Sequence, residues 1–494
     1  MKRMAAVLLF LLLAATPNLR AATQQEAETY YIRGVGYQDL EDYRQAIANY
    51  TKAIRINPKY ALAYYGRGVA RGESDDPSGA IADLTQAIEL DPTMAKAYVN
   101  RAVAFIQRGD LDVAEADLSQ LIRLQPTQAE ARYLRGDVRR RRGNMEGAIA
   151  DYTNALELDS YLGKAYRGRA KARARLGDFD GAADDYAQQI ALRYEVAKAH
   201  AERAEIHEAR GDVTAAMVDY TAAIEADRTS ADPYRRRAAL RRDAGDLTGS
   251  VEDETAVTVL DPSSPDAYAR RATLYSQEGE FTRSVADYTD ALRRSSPKTP
   301  SQSAALYQSR AVAKEQLGDR AGAVADYGHA VALDSSLRQA FANRANLREQ
   351  QGETADAIAD YTQAIRLDPA PIDAYRRRAS LRMKSGDPAG TIADCTAWIA
   401  RESKRGDAHQ LRGMAYLQRL QREQALADFK QAAALGSEEV QASVRPLIDQ
   451  LTAQLAAAKT VRPPSRVAPP ATRPAPPTRP MVTPQRPLAQ SDDQ

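Results

Sequence analysis

The sequence predicts an all-α fold built from one repeated helix pair. Ala, Arg, Asp, Leu and Tyr dominate the 494 residues and Trp occurs once, which is a composition typical of helices. No segment shows the alternation of Val, Ile and Thr that marks strands. An arginine followed by Gly or Ala recurs every 34 residues from Arg33 to Arg271. A period of this length indicates an array of small units, each of which buries its apolar face on its neighbours.

The period divides most of the chain into twelve repeats. After Arg271 one step of 39 residues leads to Arg310, and the 34-residue spacing then resumes. The five extra residues, 299–303, are predicted to form a longer loop between repeats eight and nine. Position 1 of the successive repeats is residue 27, 61, 95, 129, 163, 197, 231, 265, 304, 338, 372 and 406.

Each repeat has the pattern of two helices that cross closely. In the first helix, position 4 is usually aromatic and position 8 is Gly or Ala. In the second helix, position 20 is small, position 24 is often Tyr and position 27 is mostly Ala. Steps of three and four residues place each set on one helical face. Gly at position 15 in nine repeats allows the left-handed conformation that ends a helix.

These residues resemble the tetratricopeptide repeat family, which has an aromatic at position 4, Gly or Ala at 8, Ala at 20, an aromatic at 24, Ala at 27 and Pro at 32. The resemblance covers residues 27 to about 439. It implies a right-handed superhelical solenoid whose concave groove binds a protein or peptide. The chain departs from the family pattern with arginine at position 7 and with Glu254 in place of an aromatic. Cys395 and Trp398 form a third departure, an exchange of large and small residues that conserves volume.

The repeats occupy residues 27–437, and the segments before and after them differ from the repeats in composition. Two basic residues, an eleven-residue apolar run and small residues predict a secretory signal peptide at 1–22, and therefore a periplasmic or secreted protein. An uncleaved membrane anchor is the alternative. The amphipathic segment 438–459 is predicted to cap the array as a helix. The Pro- and Arg-rich segment 460–494 is predicted to be a disordered tail.

Charge and motifs exclude several classes of function. Removal of the signal would leave 65 basic against 66 acidic residues, which disfavours nucleic-acid binding. No phosphate loop, nucleophile elbow or metalloprotease motif is present. His200 and His207 are about 10.5 Å apart along a helix axis, too far to share a metal ion. His200 and His409 occupy position 4 and are predicted to replace Tyr in the core. No catalytic, cofactor-binding or metal site is therefore predicted.

Arginine at position 7 and aspartate at position 23 are predicted to pair. All twelve repeats have the arginine and eleven have the aspartate, with Asn49 in the first repeat. Position 7 lies beside positions 4, 8 and 11 on the packing face, where a buried charge requires a partner. We expect a ladder of Arg–Asp pairs that joins helices within or between repeats. A ladder of ligand-binding arginines is the alternative.

The groove is expected on positions 2, 5, 9, 12 and 13 of the first helices, about 140° from the packing face. In the family these positions line the concave surface. They are apolar or aromatic in repeats one to three and basic in repeats four and five, although an ordinary solvated helix face would also be basic. The candidate partner-binding residues are Tyr31, Val35, Tyr65, Val69, Val103, Ile106, Tyr133, Arg140, Arg141, Lys164, Arg167, Lys171 and Arg175.

The predicted function is a non-enzymatic scaffold for protein–protein interaction. The predicted partner is a protein or peptide with an apolar and an acidic part, without nucleic acid and without stable membrane insertion of the mature chain. Two alternatives belong to other classes. One is an accessory subunit of an envelope enzyme that handles polysaccharide or peptidoglycan. The other, which the near-neutral charge disfavours, is a nucleic-acid binder.

Overall fold

The chain is a succession of α-helices, as predicted. A computed structural model describes residues 24–296 and 298–460, and these two ranges contain 25 helices and no strand. The predicted signal peptide and the tail after residue 460 lie outside the described residues. The chain divides into two compact parts, and the boundary falls within the eighteenth helix, between Ala323 and Val324.

The odd-numbered helices up to α23 are the first helices of the twelve repeats. They are α1 (24–39), α3 (Ala61–Glu73), α5 (Ala95–Arg108), α7 (Ala129–Arg141), α9 (Gly163–Arg175), α11 (Val196–Ala209), α13 (Ala231–Asp243), α15 (Pro265–Gln277), α17 (Pro300–Gln316), α19 (Arg338–Gln351), α21 (Ile372–Lys384) and α23 (Gly406–Gln418).

The even-numbered helices are the second helices. Each packs on its neighbours along the chain, as α4 does on α3 and α5. They are α2 (Tyr43–Ile56), α4 (Pro77–Leu90), α6 (Leu111–Leu124), α8 (Met145–Leu158), α10 (Phe179–Ala191), α12 (Val213–Ala226), α14 (Leu247–Leu260), α16 (Phe281–Arg294), α18 (Arg320–Leu333), α20 (Thr354–Leu367), α22 (Pro388–Arg401) and α24 (Arg422–Leu435), followed by the single helix α25 (Glu438–Thr460).

The turn inside each repeat follows from positions 15 and 16. Backbone φ is positive at position 15 in all twelve repeats, which is the left-handed conformation that ends the first helix. Nine of these residues are glycine, as expected, whereas Glu41, Asp75 and Leu420 adopt the same conformation with φ between 58° and 63°. Position 16 is most often Asp. Its carboxylate caps the second helix, as Asp42 does by accepting a hydrogen bond from the Gln45 amide at 3.0 Å.

The five inserted residues lengthen a helix rather than a loop. α17 begins at Pro300, with Thr299 as its N-cap, and runs for 17 residues. The expectation of a longer loop at 299–303 is therefore wrong. Proline suits the first helical position because that position needs no amide donor, so the helix begins one turn early. The added turn is tied to repeat eight, since the Gln302 amide donates to Asp266 at 2.6 Å.

Side chains at position 24 fill the space between successive first helices. The Tyr50 side chain is 1 % exposed and lies between Gly34 of its own repeat and Gly66 of the next. A methyl group on either glycine would come within 2.6 Å of the ring. Cys395 and Trp398, the predicted volume-conserving exchange, are both buried.

The predicted Arg–Asp ladder is confirmed, and each pair closes one repeat. In ten repeats the guanidinium at position 7 makes two parallel hydrogen bonds to the carboxylate at position 23, from Nε to Oδ2 at 2.7–3.0 Å and from Nη2 to Oδ1 at 2.5–2.8 Å. These aspartates are only 1–5 % exposed. A carboxylate buried this deeply requires such pairing. The arginines therefore stabilise the interior of each repeat rather than bind a ligand.

A hydroxyl at position 25 connects each ladder pair to the preceding repeat. The remaining nitrogen, Nη1, of nine position-7 arginines donates to a threonine or serine hydroxyl at 2.9–3.3 Å. Arg203 and Arg344 make no such bond within the described residues, because the residue at position 25 before them is Ala187 and Gly328 respectively. The ladder therefore links most repeats to their predecessors and is interrupted at two junctions.

The two histidines at position 4 face the ladder, as predicted for core substitutes. Their Nδ1 atoms lie 2.9 Å and 3.0 Å from carboxylate oxygens, His200 from Asp219 and His409 from Asp428. Burial opposes ionisation of Asp219, but hydrogen bonds from Arg203 and His200 outweigh it and lower the pKa of this carboxyl. The carboxylate therefore stays ionised at neutral pH.

The last helix, α25, covers the end of the C-terminal part. Val444 and Leu451 are buried against Phe429 and Ala432 of α24, while most other side chains of α25 face solvent. This is the arrangement that a terminal cap requires. Among the helices in the described ranges, none is long and apolar enough to cross a membrane.

Loss of one ladder arginine is expected to destabilise repeat three more than repeat seven. Arg101 is the one cation that binds Asp117 within the described residues. Asp253, by contrast, binds Arg241 at 3.0 Å in addition to Arg237. Arg101→Leu leaves a buried carboxylate unpaired, which costs about 3–5 kcal/mol, and Arg237→Leu should cost less.

Urea unfolding, combined with hydrogen exchange of α5–α6 and α13–α14, measures both losses. Equal destabilisation by the two substitutions would contradict this account of the ladder.

Candidate partner-binding groove

The candidate residues lie on neighbouring first helices of the N-terminal part, from α1 to α9. Side chains of successive repeats touch along these positions, which we call the groove face. The Asn100 amide donates to the Tyr65 hydroxyl at 3.2 Å. Lys164 pairs with Glu130 at 2.6 Å. The first helices therefore share one continuous surface.

In repeats one to three, some side chains of the groove face pack on the protein's own core. The Tyr31 ring lies 5.8 Å from that of Tyr50 and 5.3 Å from that of Tyr60, measured between centroids. Val35 and Ile106 pack on buried clusters of the same repeats. These predicted site residues contribute chiefly to packing.

Val69 and Val103 remain accessible to a partner, whereas Tyr65 is half-buried against the core cluster of repeats two to four. Val69 and Val103 line a pocket of about 80 Å³ together with Leu84, and Val103 is 38 % exposed. The pocket is present because Leu84 occupies position 24, where most repeats have a ring. Burial raises the pKa of the Tyr65 phenol.

Tyr133 and Lys164 join the apolar stretch to the charged stretch. The Lys164 ammonium lies 4.7 Å from the centroid of the Tyr133 ring, in a position where the ring attracts a cation. Tyr133 packs on the core of repeat four, with its ring 6.0 Å from that of Tyr152. Lys164 is thus held by a ring and by the carboxylate of Glu130.

The basic residues of repeats four and five are held in ion pairs. Arg167 donates to Glu202 from Nε at 2.8 Å and to Glu195 from Nη1 at 2.9 Å. Lys171 also binds Glu202, at 2.9 Å. These contacts cross the junction of repeats five and six, where the ladder is interrupted at Ala187. Ion pairs on the groove face therefore link two repeats that lack the hydroxyl link.

Arg140 and Arg141 share one carboxylate of their own helix. Asp137 accepts from Arg140 at 2.6 Å and from Arg141 at 2.7 Å. Arg175, in contrast, has no carboxylate within ion-pair distance in the described part of the chain. The helical projection therefore groups these cations on one face but does not include the carboxylates that pair with most of them.

Sequence reasoning missed Glu202 because it sits at position 6, outside the five positions assigned to the groove. A signal was present, since Glu202 follows Arg167 by 35 residues, one period plus one. Asn100 follows Tyr65 by the same 35 residues and makes the equivalent contact. Position 6 of one repeat therefore meets position 5 of the repeat before it.

The charged residues surround a cavity of about 560 Å³ between α7, α9 and α11. The first two helices contribute cations and the third contributes carboxylates, while three apolar side chains separate them. Burial, reinforced by neighbouring acidic residues, raises the pKa of the Glu205 carboxyl. The cavity can therefore receive a chain segment that carries both an apolar and a charged side chain. Its lining residues are Arg140, Arg141, Met145, Lys171, Ala174, Arg175, Tyr186, Glu202, Glu205 and Ile206.

Comparison with known protein families identifies the repeats. Models of the tetratricopeptide repeat match residues 70–126, 99–162, 167–233 and 342–407, and a further TPR repeat model matches 36–74. Together these segments cover more than half of the chain. The chain belongs to the tetratricopeptide repeat (TPR) family. The TPR fold is typically a non-enzymatic scaffold that binds peptides or proteins.

Several solved TPR structures are similar to part of this chain. YrrB, a TPR protein with an unusual peptide-binding site, is 20 % identical over 36 % of this chain and 92 % of its own, with a TM-score of 0.33. A TPR protein from Parabacteroides merdae is 20 % identical over 52 % of this chain and 98 % of its own, with a TM-score of 0.34. The C-terminal part of a TPR protein from Cytophaga hutchinsonii is 18 % identical over 48 % and 96 %, with a TM-score of 0.42. The comparison with curated proteins found no match.

Neutralising Glu202 is expected to release the basic side of the TPR groove face. Glu202→Gln removes one carboxylate, which pairs with Lys171 and is also the bidentate partner of Arg167. Exposed pairs contribute about 0–1 kcal/mol each, so affinity for a hexaglutamate peptide should rise by up to about tenfold at low salt. Titration at two salt concentrations measures the change, which should shrink as salt rises.

The matched control is Glu225→Gln, since Glu225 is exposed on α12, a second helix, and therefore lies outside the groove positions of the first helices. It changes the net charge equally. Equal affinities of the two variants would show that Glu202 does not govern the basic residues.

Proposed function

We propose that this TPR protein is an exported, non-enzymatic scaffold that holds an extended segment of a partner protein on its groove face. One observation carries the proposal. The apolar pocket of repeats two and three and the charged cavity of repeats four to six lie on consecutive first helices within one compact part. A single extended segment can therefore contact both.

Apolar anchors supply most of the affinity in this proposal. A partner side chain that enters the pocket beside Val69 and Val103 gains roughly 25 cal/mol per Å² of apolar surface removed from water, before ordering costs. Tyr65 adds a hydroxyl that can exchange its Asn100 contact for one with the partner. Loss of these anchors should act mainly on the dissociation rate.

The charged cavity sets orientation and association rate. Arg141 and Arg175 are the most exposed of its cations and are the expected contacts for an acidic part of the partner. Arg140, Arg141 and Lys171 pair with the protein's own carboxylates, so a partner must replace existing ion pairs to bind them. Such exchange favours complementary partners without adding much net affinity.

The proposed location is the periplasm or the cell exterior. The support is the N-terminal sequence alone, in which Lys2 and Arg3 precede an apolar run from Ala5 to Ala15. This run is shorter than the roughly 20 residues that span a bilayer. A cleaved signal therefore explains these residues better than an anchor.

Site-specific photo-crosslinking in intact cells tests the proposal. Photoreactive residues at Val103 and Arg175 should capture the same partner, because both lie on the groove face. Val218 and Val259, which are 65 % and 73 % exposed on second helices, are matched outer positions and should capture little. Mass spectrometry of the captured chain should find its N-terminus near residues 21–23.

Three results would contradict the proposal. Capture from the outer positions alone would place the partner elsewhere. Capture of the chain's own tail, lost on truncation after Thr460, would show that the groove face binds the tail. An intact Met1 would contradict export.

A further inference from the structure

The side chain at position 24 occupies a slot between successive first helices. In eight repeats this side chain carries an aromatic ring. In repeats one, six and ten the tyrosine hydroxyl donates to the residue at position 12 of the same repeat. Tyr50 donates to Gln38 at 2.9 Å, and Tyr361 donates to Glu349 at 3.0 Å. The eight rings are those of Tyr50, Tyr152, Tyr186, Tyr220, Tyr288, Tyr327, Tyr361 and Phe429.

Repeat seven leaves this slot unfilled. Glu254 occupies position 24, is 3 % exposed, and pairs with Arg270 of repeat eight through Nε at 2.7 Å and Nη2 at 3.2 Å. The shorter side chain leaves a cavity of about 180 Å³. Leu84, the shorter residue in repeat two, leaves only about 80 Å³. Both repeats lack a ring at position 24, and the larger volume is the one beside Glu254.

The walls of the empty slot are suited to an aromatic ring. Ala238, Ala239 and Leu274 supply apolar surface, and Arg235 and Arg242 line the same cavity. Each of these arginines also pairs with an aspartate of its own helix. A cavity of about 150 Å³ is large enough to hold benzene. Guanidinium groups attract ring faces. The size of the cavity and its arginine residues are therefore both compatible with an aromatic ring.

The polar end of the slot favours an oxygen acceptor. Position 12 of repeat seven is Arg242, a donor, where repeats one and ten have Gln38 and Glu349. A phenol oxygen placed next to Arg242 would accept a hydrogen bond from it.

We propose that the slot of repeat seven binds a tyrosine side chain of the partner. The partner's ring would occupy the place that the position-24 ring takes in eight other repeats. The inference rests on the proposed function, because the slot opens among groove-face residues of repeats seven and eight. It assigns the partner a tyrosine that lies beyond the segment bound by repeats four to six. Glu254 and Arg270 form the floor of the site as an ion pair that remains intact when the ring binds.

Titration with p-cresol, the tyrosine side chain as a free molecule, tests the slot directly. Methyl NMR of the full-length protein should show saturable shifts at Leu274 and Ala238. Glu254→Tyr fills the slot from within and should abolish them, while Glu254→Gln keeps the space and should retain them. Leu84 is an internal control, since its pocket is too small for a ring.

The same variant tests the partner. Glu254→Tyr should reduce photo-crosslinking from Val103 at least fivefold. Absence of saturable shifts, their persistence in Glu254→Tyr, or unchanged crosslinking in that variant would each overturn the slot while leaving the groove intact. Absence of groove crosslinking in the wild-type protein would instead contradict the proposed function.

Discussion

The paired arginine and aspartate of each repeat determine the geometry on which the rest of the structure depends. The bidentate pair fixes the first helix against the second, and the hydroxyl at position 25 fixes the pair to the preceding repeat. With the first helices held in place, the residue at position 24 decides what remains between them. Tyr50 fills the gap, whereas Leu84 and Glu254 leave cavities. Because packed helices relax only partly around a smaller side chain, the residues at position 24 in repeats two and seven leave the two smaller pockets of the groove face.

The charged stretch of the groove face is selective rather than strongly attractive. Arg167 and Lys171 already bind Glu202, so an acidic partner gains new ion pairs only as it displaces old ones. The net electrostatic gain is then small, and affinity depends on side chains that enter the pockets. In the proposed function, this division of roles would let the groove face reject general acidic proteins while it binds one complementary segment.

The sequence predicts the features that a single helix or a single repeat contains. The 34-residue period locates the helix pairs, position 15 locates the turns, and the joint presence of arginine and aspartate predicts the ladder. Contacts between repeats are harder to predict from the sequence, because a helical projection describes one helix at a time. The hydroxyl link and the role of Glu202 both depend on a residue in the adjacent repeat. Glu254 was visible as a departure from the pattern, but the space that it leaves depends on the distance between α13 and α15.

Native-state hydrogen exchange on two reciprocal variants tests most directly whether the ladder holds the repeats together. Ala187→Thr supplies the hydroxyl that Arg203 lacks, and Thr153→Ala removes the one that binds Arg169. A hydrogen bond to a charged group contributes about 1.5–3 kcal/mol, so exchange in α11 should slow by about tenfold or more in the first variant, and exchange in α9 should accelerate comparably in the second. Unchanged exchange in both variants would contradict the account, because the junctions would then depend on apolar packing alone.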